Sequence, residues 1–201
     1  MRPMNAHPPR RQSIDGFTLT ELLVLVIIVG ILSALAVPNL LGYFSRTQVD
    51  AGAEALEGVL RQAQREAIRR SQTCAVVIPT GADPVVRTAT NTEVAGSNEN
   101  CLPARNLSQQ TGSGQQAADL TLRNIRIDSN LTANPPTVGF TFKGTPTNVA
   151  ANTVLVISST RSPSSSSRCI VVSDLLGLIR AGNYNGTPTN PTEANCRIRP
   201  Q

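Results

Sequence analysis

The sequence predicts an α+β fold in which one long N-terminal helix packs on antiparallel β-sheet. Three observations predict it. Residues 22–41 read LLVLVIIVGILSALAVPNLL, with no charge and only Ser33 and Asn39 polar. An amphipathic stretch follows at once, and the remainder alternates short β-branched runs with loops rich in Pro, Gly, Ser and Asn. With no Trp, two Tyr and four Phe, the core must be aliphatic, which suits a sheet. A chain of 201 residues holds one ordinary domain plus a short attachment.

Residues 1–16 are polar, basic and Pro-bearing, with Arg2, Arg10 and Arg11 and no apolar core, so they are not an ordinary secretory signal. Residues 17–44 are expected to form a membrane helix. Twenty apolar residues at about 1.5 Å each span about 30 Å, the hydrocarbon thickness of a bilayer. A helix that is apolar all round for five turns rarely sits inside a domain this small. The arginines ahead of it keep the N-terminus cytoplasmic by the positive-inside rule, and place the C-terminal part outside. Pro38 removes one backbone hydrogen bond and allows a kink or the end of the membrane helix.

Residues 45–72 continue as the amphipathic half. Leu56, Val59, Leu60, Ala63, Ala67 and Ile68 recur at three and four residues, marking an apolar face. Asp50, Glu54, Glu57, Arg61, Arg65, Glu66 and Arg70 fall elsewhere, and Glu57–Arg61 and Glu66–Arg70 are favourable pairs one turn apart. Residues 73–201 form the β-rich globular part. Strands are expected at 74–78, 85–88, 122–128, 139–142, 153–158, 169–173 and 178–181, with 174–177 closing a hairpin. Phe140 and Phe142 alternate as in a sheet covered on one face. Residues 91–116, 161–167 and 182–192 have loop composition.

Cys74, Cys101, Cys169 and Cys196 all lie beyond the apolar segment, and none forms the C-x-x-C spacing of a metal or redox site. An even number outside the cytoplasm suggests two disulfides. Three connectivities are open, besides four free thiols. The sequence-local pairs, Cys74 with Cys101 and Cys169 with Cys196, are preferred, each contributing about 3–4 kcal/mol.

Glu21 stands at the mouth of the apolar run, where a carboxylate needs a partner. A cut after Gly16 would create one: the free ammonium of Phe17 lies one helical turn before it, and the helix dipole favours an acid there. A neighbouring subunit's ammonium would serve equally well. The stretch Gly16-Phe17-Thr18-Leu19-Thr20-Glu21-Leu22-Leu23 resembles the type III signal of type IV pilins and type II secretion pseudopilins. Gly30 and Pro38 fall where such helices often carry Gly and Pro. The stretches 60–70, 140–144 and 168–180 make the chain most similar to the GspH/FimT-type minor pilins and pseudopilins.

That resemblance implies cleavage after Gly16 by a prepilin peptidase, N-methylation of Phe17 and an assembly role for Glu21. It implies an inner-membrane, single-pass subunit of a type IV pilus or type II secretion system, its C-terminal domain periplasmic or extracellular. Its partners would be other pilins or pseudopilins and the inner-membrane assembly platform, with a place at filament initiation or the tip. Some FimT-like members bind DNA through a basic C-terminal Gly-Arg-x-Arg signature. Here the place reads Gly177-Leu178-Ile179-Arg180, lacking one arginine, yet Arg168, Arg180, Arg197 and Arg199 could still offer a basic surface for DNA.

Catalysis is not expected. The single histidine, His7, lies in the leader, and no nucleophile–base pair, phosphate loop or metal-ligand spacing appears, so neither metal nor cofactor is expected. The net charge of +5 tolerates a polyanion partner without requiring one.

Overall fold

The structure, a computed structural model, describes residues 18–102, 120–147, 152–161 and 166–198, and of residues 34–41 the backbone alone. The leader, Phe17 and residues 103–119, 148–151, 162–165 and 199–201 lie outside these. The chain divides into two compact units, Met1–Leu40 and Leu41–Gln201.

One helix, α1, runs Leu19–Arg70. It stops where Ser71 adopts a left-handed φ of 54°. There the Ser71 amide donates to the Ile68 carbonyl and the Gln72 amide to that of Ala67, pairing two of the last four carbonyls of the helix. Eleven strands follow among the described residues: β1 Cys74–Val77, β2 Gly81–Ala82, β3 Val85–Thr88, β4 Leu120–Thr121, β5 Ile125–Ser129, β6 Thr137–Phe140, β7 Pro146–Thr147, β8 Thr153–Ser159, β9 Ser167–Val172, β10 Ile179–Tyr184 and β11 Cys196–Ile198. They build two antiparallel sheets, ordered β4-β3-β1-β6-β7 and β11-β10-β9-β8-β5-β2. The molecule is α+β, a long helix with antiparallel sheet packed on it.

The main core joins the second half of α1 to both sheets. Val49, Ala53, Leu56, Leu60, Ala63 and Ala67 pack with Cys74, Val76, Val138 and Phe140 of one sheet and with Ile127, Leu155, Ile157, Ile170 and Val172 of the other. Gly52 lets the helix lie close on the sheet: a methyl group there would overlap Ile125 of β5. Two smaller clusters cover the outer faces, Val154, Val156, Val171 and Tyr184 on one sheet and Ala75, Val77, Ala89 and Val94 on the other. Every residue of β8 is therefore buried, which the expectation of one covered face did not foresee.

Several expected boundaries change for local reasons. The single strand expected at 122–128 is interrupted, because Asn124 takes a left-handed φ of 58° while its amide donates to Asp83 Oδ1. Phe140 is fully buried, but Phe142 does not continue its strand. Residues 141–145 turn back, with the Thr141 amide donating to the Thr145 carbonyl at 2.8 Å, which leaves Phe142 exposed. Ile68, expected on the buried face, is also exposed. The hairpin at 174–177 forms, closed by the Gly177 amide on the Ser173 carbonyl at 3.0 Å. Residues 182–184, expected in a loop, extend β10 and pair with β11, a strand that composition did not mark.

Candidate functional site

Two places carry the residues singled out by sequence: the start of α1 and the C-terminal arginines. At the first, Thr18 caps the helix, its Oγ1 accepting the Glu21 amide at 3.3 Å. Thr18-Leu19-Thr20-Glu21 is thus the T-x-x-E spacing of a capping box, a signal that the sequence reading passed over. It puts the Glu21 carboxylate in the first turn, exposed, where the helix dipole favours an anion. Gly16 and Phe17 lie outside the described residues, and so does the side chain of Pro38.

Beyond Glu21 the helix is bare. All ten large apolar side chains from Leu22 to Leu32 are between 51% and 62% exposed, so no side of this stretch is covered. Ser33 turns its hydroxyl onto the Val29 carbonyl, which satisfies the only polar side chain of the run described here. Among the described residues no helix is long and apolar enough to cross a membrane. The side chains described stop at Ser33 and resume at Gly42, inside the twenty-residue run expected to span.

The arginines are not gathered into one surface. Cross-strand register sets Arg168 beside Asn183 and Asn183 beside Arg197, so these share one face of the sheet. Arg180, three residues from Asn183 on the same strand, faces the other side. Arg168 is a partner of α1: its Nε donates to Asp50 Oδ1 at 2.6 Å, and its head also meets the Asn183 side chain. The Asp50 carboxylate holds the Arg168 guanidinium above its ordinary pKa. Arg180 approaches Glu193 at 3.5 Å, while its Nε is buried without a hydrogen-bond partner. Arg197 is exposed on the edge strand, and Arg199 lies outside the described residues.

Disulfides join Cys74 to Cys101 and Cys169 to Cys196, each across 27 positions. The first ties β1 to the loop after β3. The second ties β9 to β11 across β10, which holds the edge strand in place. Among the described residues no group of three or more His, Cys, Asp or Glu side chains could hold a metal ion.

Comparison with known proteins follows the same line. The family model of type II transport protein GspH matches residues 52–175. The chain is 48% identical over 54 residues to the type II secretion system core protein G of Klebsiella michiganensis, a match over 25% of this chain and 38% of that protein. It is 48% identical over 44 residues to the type IV major fimbrial protein FimA of Dichelobacter nodosus, over 22% of this chain and 28% of that protein. The chain therefore spans well under half the length of these curated relatives. Among solved structures it is similar to the minor pseudopilin EpsH of the Vibrio cholerae type 2 secretion system, with TM-score 0.47, 15% identity, and coverage of 68% of this chain and 97% of that one. It is also similar to the type IV minor pilin FimU of Pseudomonas aeruginosa, with TM-score 0.45, 14% identity, and coverage of 69% and 90%.

Proposed function

The chain belongs to the family of type II transport protein GspH, and on that premise we propose that it is a minor pilin or pseudopilin subunit of a type II secretion system or type IV pilus. The observation that carries the proposal is the first half of α1: an acid in a capped first turn, followed by ten half-exposed Leu, Ile and Val side chains. Full burial of one such side chain is worth roughly 1.5–3 kcal/mol, so ten of them require an apolar environment. A bilayer supplies it before assembly and neighbouring helices supply it in a filament.

In this reading residues 1–16 are the leader, removed after Gly16 by a prepilin peptidase, and Phe17 becomes the N-methylated first residue. The new ammonium, of this subunit or a neighbour, pairs with Glu21. Residues 17–44 span the inner membrane once with the N-terminus cytoplasmic, and Pro38 relaxes the helix during extraction by the assembly platform. Residues 45–72 dock on the globular part, residues 73–201, which lies in the periplasm or outside the cell, where the cysteines oxidise. The work is mechanical rather than catalytic, at the initiation or tip of the filament. A DNA-binding role is the weaker alternative, since Arg168 and Arg180 face opposite sides and each meets an internal carboxylate.

N-terminal sequencing and intact mass of the protein from membranes of its own host test the proposal. A chain starting at N-methylated Phe17 and four hydrogens lighter for two disulfides is the expected result. A Met1 start, in cells with active prepilin peptidase, overturns it.

A further inference from the structure

A cavity of about 470 Å³ is lined by both sheets and by the loop between β5 and β6. Its volume falls in the usual range of small-molecule sites, about 300–1,000 Å³, with room for one or two pyranose rings. One wall is the face of β6 turned away from α1: Val138 and Phe140 point into the main core, so Gly139 points the other way, toward the cavity. Gly139 pairs across the strands with Thr147 of β7. The Thr147 hydroxyl occupies the space that any side chain at 139 would take, and glycine there keeps the wall open.

The lining is neutral and rich in hydrogen-bonding groups. Thr153, the first residue of β8, is 1% exposed, and its hydroxyl is buried without a hydrogen-bond partner. Buried hydroxyls are normally paired, so this one asks for a partner from the cavity that it lines. The side chains of Thr132, Asn134 and Thr147 also make no hydrogen bond among the described residues. Each of these groups both donates and accepts, and none is charged. The one ionised group in the lining, Glu93, is already engaged: Arg87 donates to its two oxygens at 2.9 and 2.5 Å, and the Thr90 amide donates at 2.9 Å. The lining holds no Lys or Arg, so an anion finds no counter-charge there. Val94 and Leu131 add aliphatic surface beside the hydroxyls.

We propose that this cavity binds a neutral N-acetylated amino sugar, with Thr153, Thr147 and Asn134 hydrogen-bonding its hydroxyl and acetamido groups. Such a ligand matches the lining in kind: uncharged donors and acceptors, and one methyl group for Val94 and Leu131. An extended peptide fits less well, because it needs a free strand edge. Strand β6 is paired on both sides, and the edge strand β7 is two residues long, one of them proline without an N–H. The site goes beyond the filament-subunit reading and does not rest on it.

Full-length protein in a detergent without a sugar head group is titrated with N,N′-diacetylchitobiose, and binding is followed by saturation-transfer NMR. Saturable binding is expected, weakened about tenfold by Thr153→Val and by Thr147→Val, the loss of one hydrogen bond in each case. Thr153→Val should keep or raise the melting temperature, because it replaces an unpaired buried hydroxyl with a methyl group of similar shape. Two further probes should also bind about tenfold more weakly. Cellobiose lacks the acetamido groups, and the N-acetylglucosamine–N-acetylmuramic acid disaccharide of cell walls adds a carboxylate, which separates that source from a neutral polymer. No binding of diacetylchitobiose, equal binding of either further probe, or unchanged binding by Thr153→Val overturns the proposal. A lower melting temperature for Thr153→Val also overturns it, since the hydroxyl would then have a partner within the fold. None of these results bears on the Phe17 start that tests the filament-subunit reading.

Discussion

The two halves of α1 solve the same problem in different ways. From Leu22 to Leu32 every large side chain is apolar and about half exposed, whereas from Val49 to Ala67 one stripe is fully buried and the remaining faces are charged. Helix propensity does not decide their fates: the first stretch, rich in Val and Ile, is the poorer helix former, the second is rich in Ala, and both are helical. What differs is the periodicity of the apolar residues. A stripe recurring at three and four positions can be covered by one sheet, and Leu56, Leu60 and Ala63 are. A helix that is apolar all round cannot be covered from one side, so its partner must surround it.

Charge insertion should break this comparison most sharply. Leu60→Asp places an unpaired carboxylate in a fully buried site and should destabilise the globular part by about 3–5 kcal/mol, lost as cooperative thermal unfolding. Leu25→Asp should leave that stability within about 0.5 kcal/mol of wild type and instead reduce membrane retention on fractionation. Equal losses of thermal stability from both would refute the division of labour.

Removing a support beneath the docked half comes next. Cys169→Ser combined with Cys196→Ser should lower stability by about 3–4 kcal/mol, because the freed loop regains entropy in the unfolded chain. Denaturant titration measures it. The helical signal of the exposed half in detergent should persist beyond the main transition.

Partly exposed ion pairs, one on the docked half and one beside β3, should matter least. Arg69 and Arg70 hold the Glu66 carboxyl below its ordinary value, and Arg87, helped by the Thr90 amide, holds Glu93 at about 2. Both folded pKa values are depressed. Their contribution is therefore present above the ordinary carboxylate value near 4.5 and lost as pH falls from there toward about 2. These pairs are largely solvated, so the combined change should be no more than about 1 kcal/mol. Glu66→Gln with Glu93→Gln should flatten the melting temperature between pH 5 and 2.5, taking those pH values as roughly spanning the titration.

Much of this was legible in the residues themselves. The apolar run, the stripe from Leu56 to Ala67, the Glu57–Arg61 and Glu66–Arg70 pairs and the hairpin at 174–177 all follow from local spacing. The failures are also instructive. Ile68 has the spacing of the buried face, but it meets the turn at Gly144 and stays half exposed. Phe142 alternates with Phe140, but two threonines close a turn between them. The strand β11 is three residues, Cys-Arg-Ile, too short for any pattern, and exists because β10 offers an edge and the Cys169–Cys196 bridge holds it there. The arginines near the C-terminus read as one patch along the chain, yet strand alternation divides them between two faces.

The sequence by itself determined what each segment must do with its side chains: where a helix is capped, which stretch needs apolar surroundings, which stripe needs a sheet. Those are properties of residues within a few turns of one another, set by dihedral preference, period and hydration. Only the tertiary structure decided which distant groups meet. Asp50 finds Arg168, Gln64 staples the Gly144 and Gly177 turns, and β8 is covered on one face by the core against α1 and on the other by the cluster of Val156, Val171 and Tyr184. Such contacts depend on strand order and register across more than a hundred residues, and no local period in the chain encodes them.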